Sequence, residues 1–556
     1  MLHKEFKGLD PGRLTVHTLH PIAKKKGRQR VGLRVALLAL LVASSPVFAV
    51  DQAAPPAAIV TQIDAGHFKA ADAAIADALK QPTLSTEQKR ALLFQRERMR
   101  RILIDFTLTA EDVKARVRKD IPDLSDAEFA KWDAAGLFER QLIDGRTLYF
   151  QRSPSNLFRI SNEALARRAV QTPITGGPME TLNDHQRAIR NAALAQRHIS
   201  VLPRRIRMTQ ILSVKADAVP AGQTVRAWIP YPRAIAGQQE NIRYIESEPA
   251  AHLIASAAAK QRTVYLQKTA KAGEKTIFSV TYEVTLSAQY HDIDASKVTA
   301  AKITPELAPF VGERAPHIVF TESMRAFSRK VVGSETNPYR IAQKLFAAVD
   351  RIPWAGAREY STISNISDYA LHAGHADCGQ QTLLLMTLLR LNGIPTRWQS
   401  GMVFADDGQY SDIHDWGYLY LAPYGWVPMD VTTGRLQPGP GDDKSLEWFY
   451  LGGLDNYRIA FNDDFGRSFE PAKKYFRSDD VDSQRGEAEW RGGNLYFDQL
   501  NYDFKWTFPT RPGGSSAHGP DDDRAQITAP ARYASFLQPI VFQPPLPVQW
   551  FVSADF

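Results

Sequence analysis

The residues with the clearest chemical potential are Cys378, His414 and Asp430. Cys378 is the only cysteine in 556 residues, and it stands in "HADCGQQTLLLMTLLRLNGIPTRW" (375–398). A lone thiol cannot form an internal disulfide, so it is read either as a small buried hydrophobe or as a nucleophile. A thiol nucleophile needs a base to take its proton and a third group to orient that base. "SDIHDWGYLYLAPYGWVPMDVTTG" (411–434) carries both kinds of residue, His414 and Asp430. Such a set could open an amide by acyl transfer through a thioester.

Two kinds of element must bring these side chains together. From Gly379 to Leu391 the chain is apolar on nearly every side, as expected of a buried helix. The helix should stop at Asn392-Gly393, with Pro395 just beyond. Cys378 then falls at its N-terminus, where unpaired N–H groups and the helix dipole favour thiolate over thiol and should lower the pKa. Downstream, "HDWGYLYL" and "GWVPMDVT" flank the turn-forming "APYG". A hairpin about residue 422 or 423 sets His414 across from Asp430 or close to it, near enough for the carboxylate to hold an imidazole N–H.

Together, "DCGQQTLLLMTLLRLNGIPTRW", "HDW" and "GWVPMDVTTG" resemble the transglutaminase-like superfamily of papain-type folds. The resemblance implies an α+β chain with a papain-like core, Cys378 as nucleophile, His414 as acid and base, and Asp430 as orienter. "VRAWIPYP" resembles the segment often found before this core in exported bacterial members. A side-chain donor beside the Cys378 N–H is usual in the superfamily, and the candidates are His372, Trp354, Tyr360 and Gln399. Trp416 is read as core, or as a shield for the thiolate against water. The implied reaction is hydrolysis of a peptide or glutamine amide. The alternatives are cross-linking to an amine and a non-catalytic cell-envelope binding protein on the same fold. Peptide, protein or peptidoglycan-peptide substrates are expected, with no cofactor.

The rest of the chain sets the context. Residues 1–34 carry nine Lys/Arg and two Asp/Glu, followed by "VALLALLVASSPVF" and a small-residue "VFA". This is the pattern of a secretory signal peptide over 1–49, with an uncleaved anchor as the alternative, and it predicts a periplasmic or secreted protein. Removing those charges from the totals of 68 basic and 60 acidic residues leaves a near-balanced chain. With no basic stripe interleaved with aromatics, nucleic acid is not an expected partner. Residues 57–200 read as mainly helical, with a capping box at "SDAE" (125–128) and a hairpin signal at Asp144-Gly145. Residues 203–293 read as an antiparallel, sandwich-like strand domain. The core is expected over 336–434, then an extension with short strands over 435–510, and a polar linker with a Pro-rich tail over 511–556. "HAGHADC" spaces His372, His375 and Cys378 by three residues, but a structural zinc site needs about four ligands and there is no second cysteine, so no metal is expected.

Overall fold

A computed structural model describes residues 55–171, 177–406, 408 and 410–509. The expected leader (1–49) and the linker with its tail (511–556) lie outside the described residues. The fold is α+β: helices come first, then antiparallel sheets, then a helix-on-sheet core.

The first region holds seven helices between Ala57 and Ala166 and one small sheet. The capping box at Ser125 forms, with the Ser125 hydroxyl accepting the Glu128 N–H and the Glu128 carboxylate accepting the Ser125 N–H. The Asp144-Gly145 turn forms too. Both residues have positive φ (46° and 85°), as a two-residue hairpin turn requires, and strands Arg140–Ile143 and Arg146–Phe150 pair across it. This region grips the loop that leads to the core. The Asn156 side chain and the Gly356 backbone exchange two buried hydrogen bonds (2.8 and 2.9 Å), and Asp105 accepts the Glu359 N–H at 3.0 Å. Residues 353–362, which include Trp354 and Tyr360, are thereby held in place.

Two antiparallel sheets share one apolar core that includes Ile206, Leu212, Ile229, Leu266 and Phe278. One is built on the long strands Ser200–Val214 and Thr276–Tyr290, the other on Thr224–Pro230 and Thr263–Thr269. The sandwich draws on distant chain. Leu500–Thr507 pairs with Ser200–Val214, and Glu487–Trp490 pairs with Thr224–Pro230. Residues 435–510 therefore pack into the strand domain as well as against the core.

In the core, helix Cys378–Leu391 lies against a four-stranded sheet in the order Gly425–Met429, Ser411–Leu421, Thr396–Phe404, Arg458–Asn462. Every residue of this helix from Cys378 to Arg390 is buried. Each buried leucine contributes about 1.5–3 kcal/mol by leaving water, so the helix start is held rigidly. Asp377 caps it: its carboxylate accepts the Gln380 N–H at 3.0 Å. Gly393, at φ 73°, ends it where the sequence expects. At Gly401 a Cβ would lie 1.8 Å from the Ile459 carbonyl oxygen, so only glycine lets strand Arg458–Asn462 join the sheet edge.

Candidate active site

The hairpin that carries His414 and Asp430 turns about residue 423, with Leu421 opposite Gly425 and Gly417 opposite Met429. Of the two expected registers the structure adopts the later one. His414 is thus one diagonal step from Asp430 rather than directly opposite, still within side-chain reach. Its Nε2 lies 2.8 Å from Asp430 Oδ2.

Asp430 is fully buried, and everything else it touches donates to it. Oδ1 accepts the backbone N–H groups of Thr432 and Thr433 at 3.2 Å each. Oδ2 accepts the Thr433 hydroxyl and the Arg458 guanidinium, both at 2.7 Å. A carboxylate so surrounded can only accept, so Nε2 carries the imidazole proton and Nδ1 is the free nitrogen. Burial alone would raise the pKa of Asp430; the charges of His414 and Arg458 outweigh it and hold the carboxyl far below the usual range. Arg458 also grips Asp455 at 2.6 Å, deep in the core. Two buried carboxylates thus face one guanidinium.

Cys378 and His414 line the same cleft, together with Trp354, Asp412, Glu180 and Arg159. The helical region reaches this cleft through Arg159, whose guanidinium lies 4.5 Å from the centre of the Trp354 ring. As the first residue of its helix, Cys378 has an N–H without an intrahelical acceptor, available to an oxyanion. The other candidates are placed differently. Gln399 is fully buried, exchanging hydrogen bonds with Gln238 (2.9 and 3.1 Å) and accepting the Trp416 Nε1–H at 2.7 Å. Trp416 is also fully buried; its ring stacks 6.0 Å from that of His414, so it supports the imidazole from the side. His372 is exposed at the end of its helix, 3.7 Å from Asp368. Gln399, Trp416 and His372 are thus not brought to the cleft wall, whereas Trp354 is. Tyr360 is buried over the helix start, with its hydroxyl donating to Asp377 at 2.8 Å. Among the described residues no three His, Cys, Asp or Glu side chains converge as metal ligands would.

The expected low thiol pKa does not survive the structure. Burial pushes the Cys378 thiol well above its ordinary value, and the Asp415 and Asp377 carboxyls, while ionised, push it further the same way. The N–H groups of the helix start favour thiolate, but burial and these oxygens oppose them. Alkylation of the native resting protein by iodoacetamide should therefore show its pH inflection above about 8.5, the value for free cysteine. An inflection clearly below that would show that helix start and imidazole outweigh burial.

The same chemistry reaches stability. Burial, followed by the nearby Glu359, raises Asp105 to about 7, and burial raises Asp377 and Asp412 to about 6 each. These folded-state values lie above that of an unfolded aspartate. Their contribution is therefore fully present at low pH and is lost as pH rises through 6 to 7. Asp430 acts in the opposite sense, contributing stability above about pH 4 that is lost on acidification. Thermal denaturation should give a higher Tm near pH ~5 than near pH ~8. Asp105→Asn should flatten that slope; a Tm that rises over this interval would contradict the assignment.

Residues 325–431 match the family model described as the transglutaminase-like superfamily core. No curated protein matches the chain. Among solved structures, the chain is similar to a proposed cysteine protease from Cytophaga hutchinsonii, with 14% identity, a TM-score of 0.39, and coverage of 56% of this chain and 93% of that one. It is also similar to the periplasmic domain of TgpA from Pseudomonas aeruginosa, with 12% identity, a TM-score of 0.22, and coverage of 40% and 87%. For the ethylmercury-bound form of that domain the identity is again 12% and the TM-score 0.22, with coverage of 44% and 94%.

Proposed function

We propose, from the match of residues 325–431 to the transglutaminase-like superfamily model, that the protein is a cysteine-dependent acyl-transfer enzyme that hydrolyses peptide or glutamine amides through a thioester. The observation that carries this reading is the His414 Nε2–Asp430 contact of 2.8 Å, which leaves Nδ1 free on an imidazole that shares a cleft with Cys378. Nδ1 takes the Cys378 proton as Sγ attacks the amide carbonyl carbon. The C=O π pair moves onto oxygen, where the Cys378 N–H can meet it. The tetrahedral species collapses by breaking the C–N bond, and the imidazolium passes its proton to the departing nitrogen. Water, with its proton drawn off by Nδ1, then attacks the thioester and releases the acid and the thiol.

The resting thiol is protonated, so in this account proton transfer accompanies attack instead of preceding it. The basic leader and apolar run over 1–49 support an exported, periplasmic or secreted enzyme. A peptide, a protein or a peptidoglycan peptide is the substrate class that fits such a compartment. The test is release of ammonia or a new amine from a panel of glutamine- and peptide-amide substrates, with and without an added primary amine. Hydrolysis predicts acid product in both; product joined to the amine would make the enzyme a cross-linking transglutaminase. No turnover on any amide would leave a binding protein on this fold.

A further inference from the structure

A second cavity, of about 260 Å³, shares no lining residue with the cleft of Cys378. Three elements meet around it, and each brings one aromatic ring and one polar group. Helix Pro338–Val349 supplies Tyr339 and Gln343, which stand one turn apart on the same face. The 3-10 turn Lys444–Trp448 supplies Ser445 and Trp448, which a three-residue period sets above one another. The end of strand Thr276–Tyr290 supplies Tyr290, with His291 next to it. Further contacts hold the rings: Tyr290 stacks on Phe449 at 5.8 Å, Trp448 meets Phe346 edge-on at 6.3 Å, and the Tyr339 hydroxyl donates to the Leu451 carbonyl at 3.4 Å.

The polar groups distinguish this cavity from a packing gap. His291 is 8% exposed, and its backbone N–H is bonded to the Gly452 carbonyl at 2.9 Å. Its two ring nitrogens, by contrast, have no hydrogen-bond partner among the described residues. The half-buried Gln343 carboxamide has none either. A buried polar group left unpaired costs free energy, and a guest with its own donors and acceptors recovers it. The Ser445 oxygen accepts from Arg190 Nε at 3.3 Å, so its O–H is left to donate. Arg190 is itself ion-paired with Asp443. No Lys or Arg lines the cavity, and Asp292, the one carboxylate that does, is exposed.

We propose that this cavity is a binding site for a single neutral sugar ring, held by the aromatic walls and by His291, Gln343 and Ser445. A pyranose has apolar C–H faces, which aromatic rings cover, and hydroxyls around its edge that both donate and accept. The three polar groups match that edge. A neutral imidazole offers one donor and one acceptor, and a carboxamide and a hydroxyl each offer both. Burial lowers the His291 pKa to about 4, so the ring is neutral at physiological pH. The size fits as well. A cavity of about 150 Å³ holds benzene, so 260 Å³ takes one substituted six-membered ring. An anion would find no cation in the walls. An ammonium brings no acceptor and would leave the N–H groups of His291 and Gln343 unpaired. The site is separate from the thiol and does not depend on the acyl-transfer reading.

The test is calorimetric titration of the whole protein with glucose, galactose, mannose and N-acetylglucosamine, with glucuronate as the anionic and choline as the cationic comparator. The expected result is one-to-one binding of at least one neutral sugar with a Kd on the order of 1 mM. The two comparators should bind at least about tenfold more weakly, and Trp448→Ala and Gln343→Leu should each weaken the sugar by about tenfold or more. Cys378→Ala should bind it as the wild type does. The proposal is overturned by no saturable binding of any of the four sugars up to about 50 mM, or by equal or tighter binding of choline or glucuronate. Folded variants that bind like the wild type would overturn it too, as would loss of binding in Cys378→Ala, which would put the sugar in the catalytic cleft. If Trp448→Ala does not fold by circular dichroism, Gln343→Leu decides alone, since that side chain gives up no hydrogen bond within the chain. Inactivity on every amide, with sugar binding intact, would refute only the acyl-transfer reading.

Discussion

Replacing Cys378 with Ala is expected to lower kcat/KM for amide substrates by on the order of 10⁴–10⁶-fold while leaving the fold intact. Ala suits a buried helix start, and the leucines that follow keep the helix packed whether or not a sulfur is present. His414→Ala should be nearly as severe, because no other base is bonded to Asp430 in that cleft. Asp430→Asn should remain large, about 10³–10⁴-fold, because an amide no longer fixes the Nε2–H tautomer. The three losses should not add: a double mutant of Cys378 and His414 should be little worse than either single mutant, since the side chains act as one unit. Steady-state kinetics on the three single mutants and the double mutant, with circular dichroism beside each, measure this. Full activity in a folded Cys378→Ala protein would demote the site to a binding scaffold.

Arg458→Met is expected to lower stability by about 3–5 kcal/mol and activity with it. Arg458 is 3% exposed and is bonded to both Asp430 and Asp455, which are themselves buried. Removing the guanidinium leaves two uncompensated carboxylates in the core. One of them would recover a proton and lose its grip on His414. Arg458→Lys retains the charge but loses the planar fork that spans the two carboxylates, so its loss should be smaller. Urea denaturation of the three proteins checks the order wild type, Lys, Met. Equal stability of Met and wild type would mean that this triad of charges contributes nothing net.

How much of this could be read beforehand depends on the range of each interaction. The buried helix and its N-terminal cysteine come from a run of leucines closed by Asn392-Gly393, which is local information. The His414–Asp430 contact was legible because a short turn joins the two strands, although the register about 423 was only one of two allowed. Arg458 was not legible: it is 28 residues beyond Asp430 and reaches it from a separate strand at the sheet edge. Its one local hint is an Asp455–Arg458 spacing of three, common in any chain. The thiol's pKa was misread for the same reason, as a helix start is visible in sequence but the carboxyl laid against it by a neighbouring strand is not. Asp377, the residue before the thiol, is visible in the sequence and opposes the thiolate from the same helix start. Gln399 lies on the expected strand and on the same face as His414, but it pairs with Trp416, one step farther along, where it is buried against Gln238 instead of reaching the cleft.

The central claim is that Cys378 carries the acyl group. Mass spectrometry of the protein quenched in acid during turnover of an activated amide or ester reads this directly. The account predicts an acyl adduct on the peptide that contains Cys378 in the wild type, accumulating when water attack is the slow step, and absent from Cys378→Ala and His414→Ala. An adduct on any other residue, or turnover by the wild type with Cys378 unmodified and freely replaceable, would contradict it.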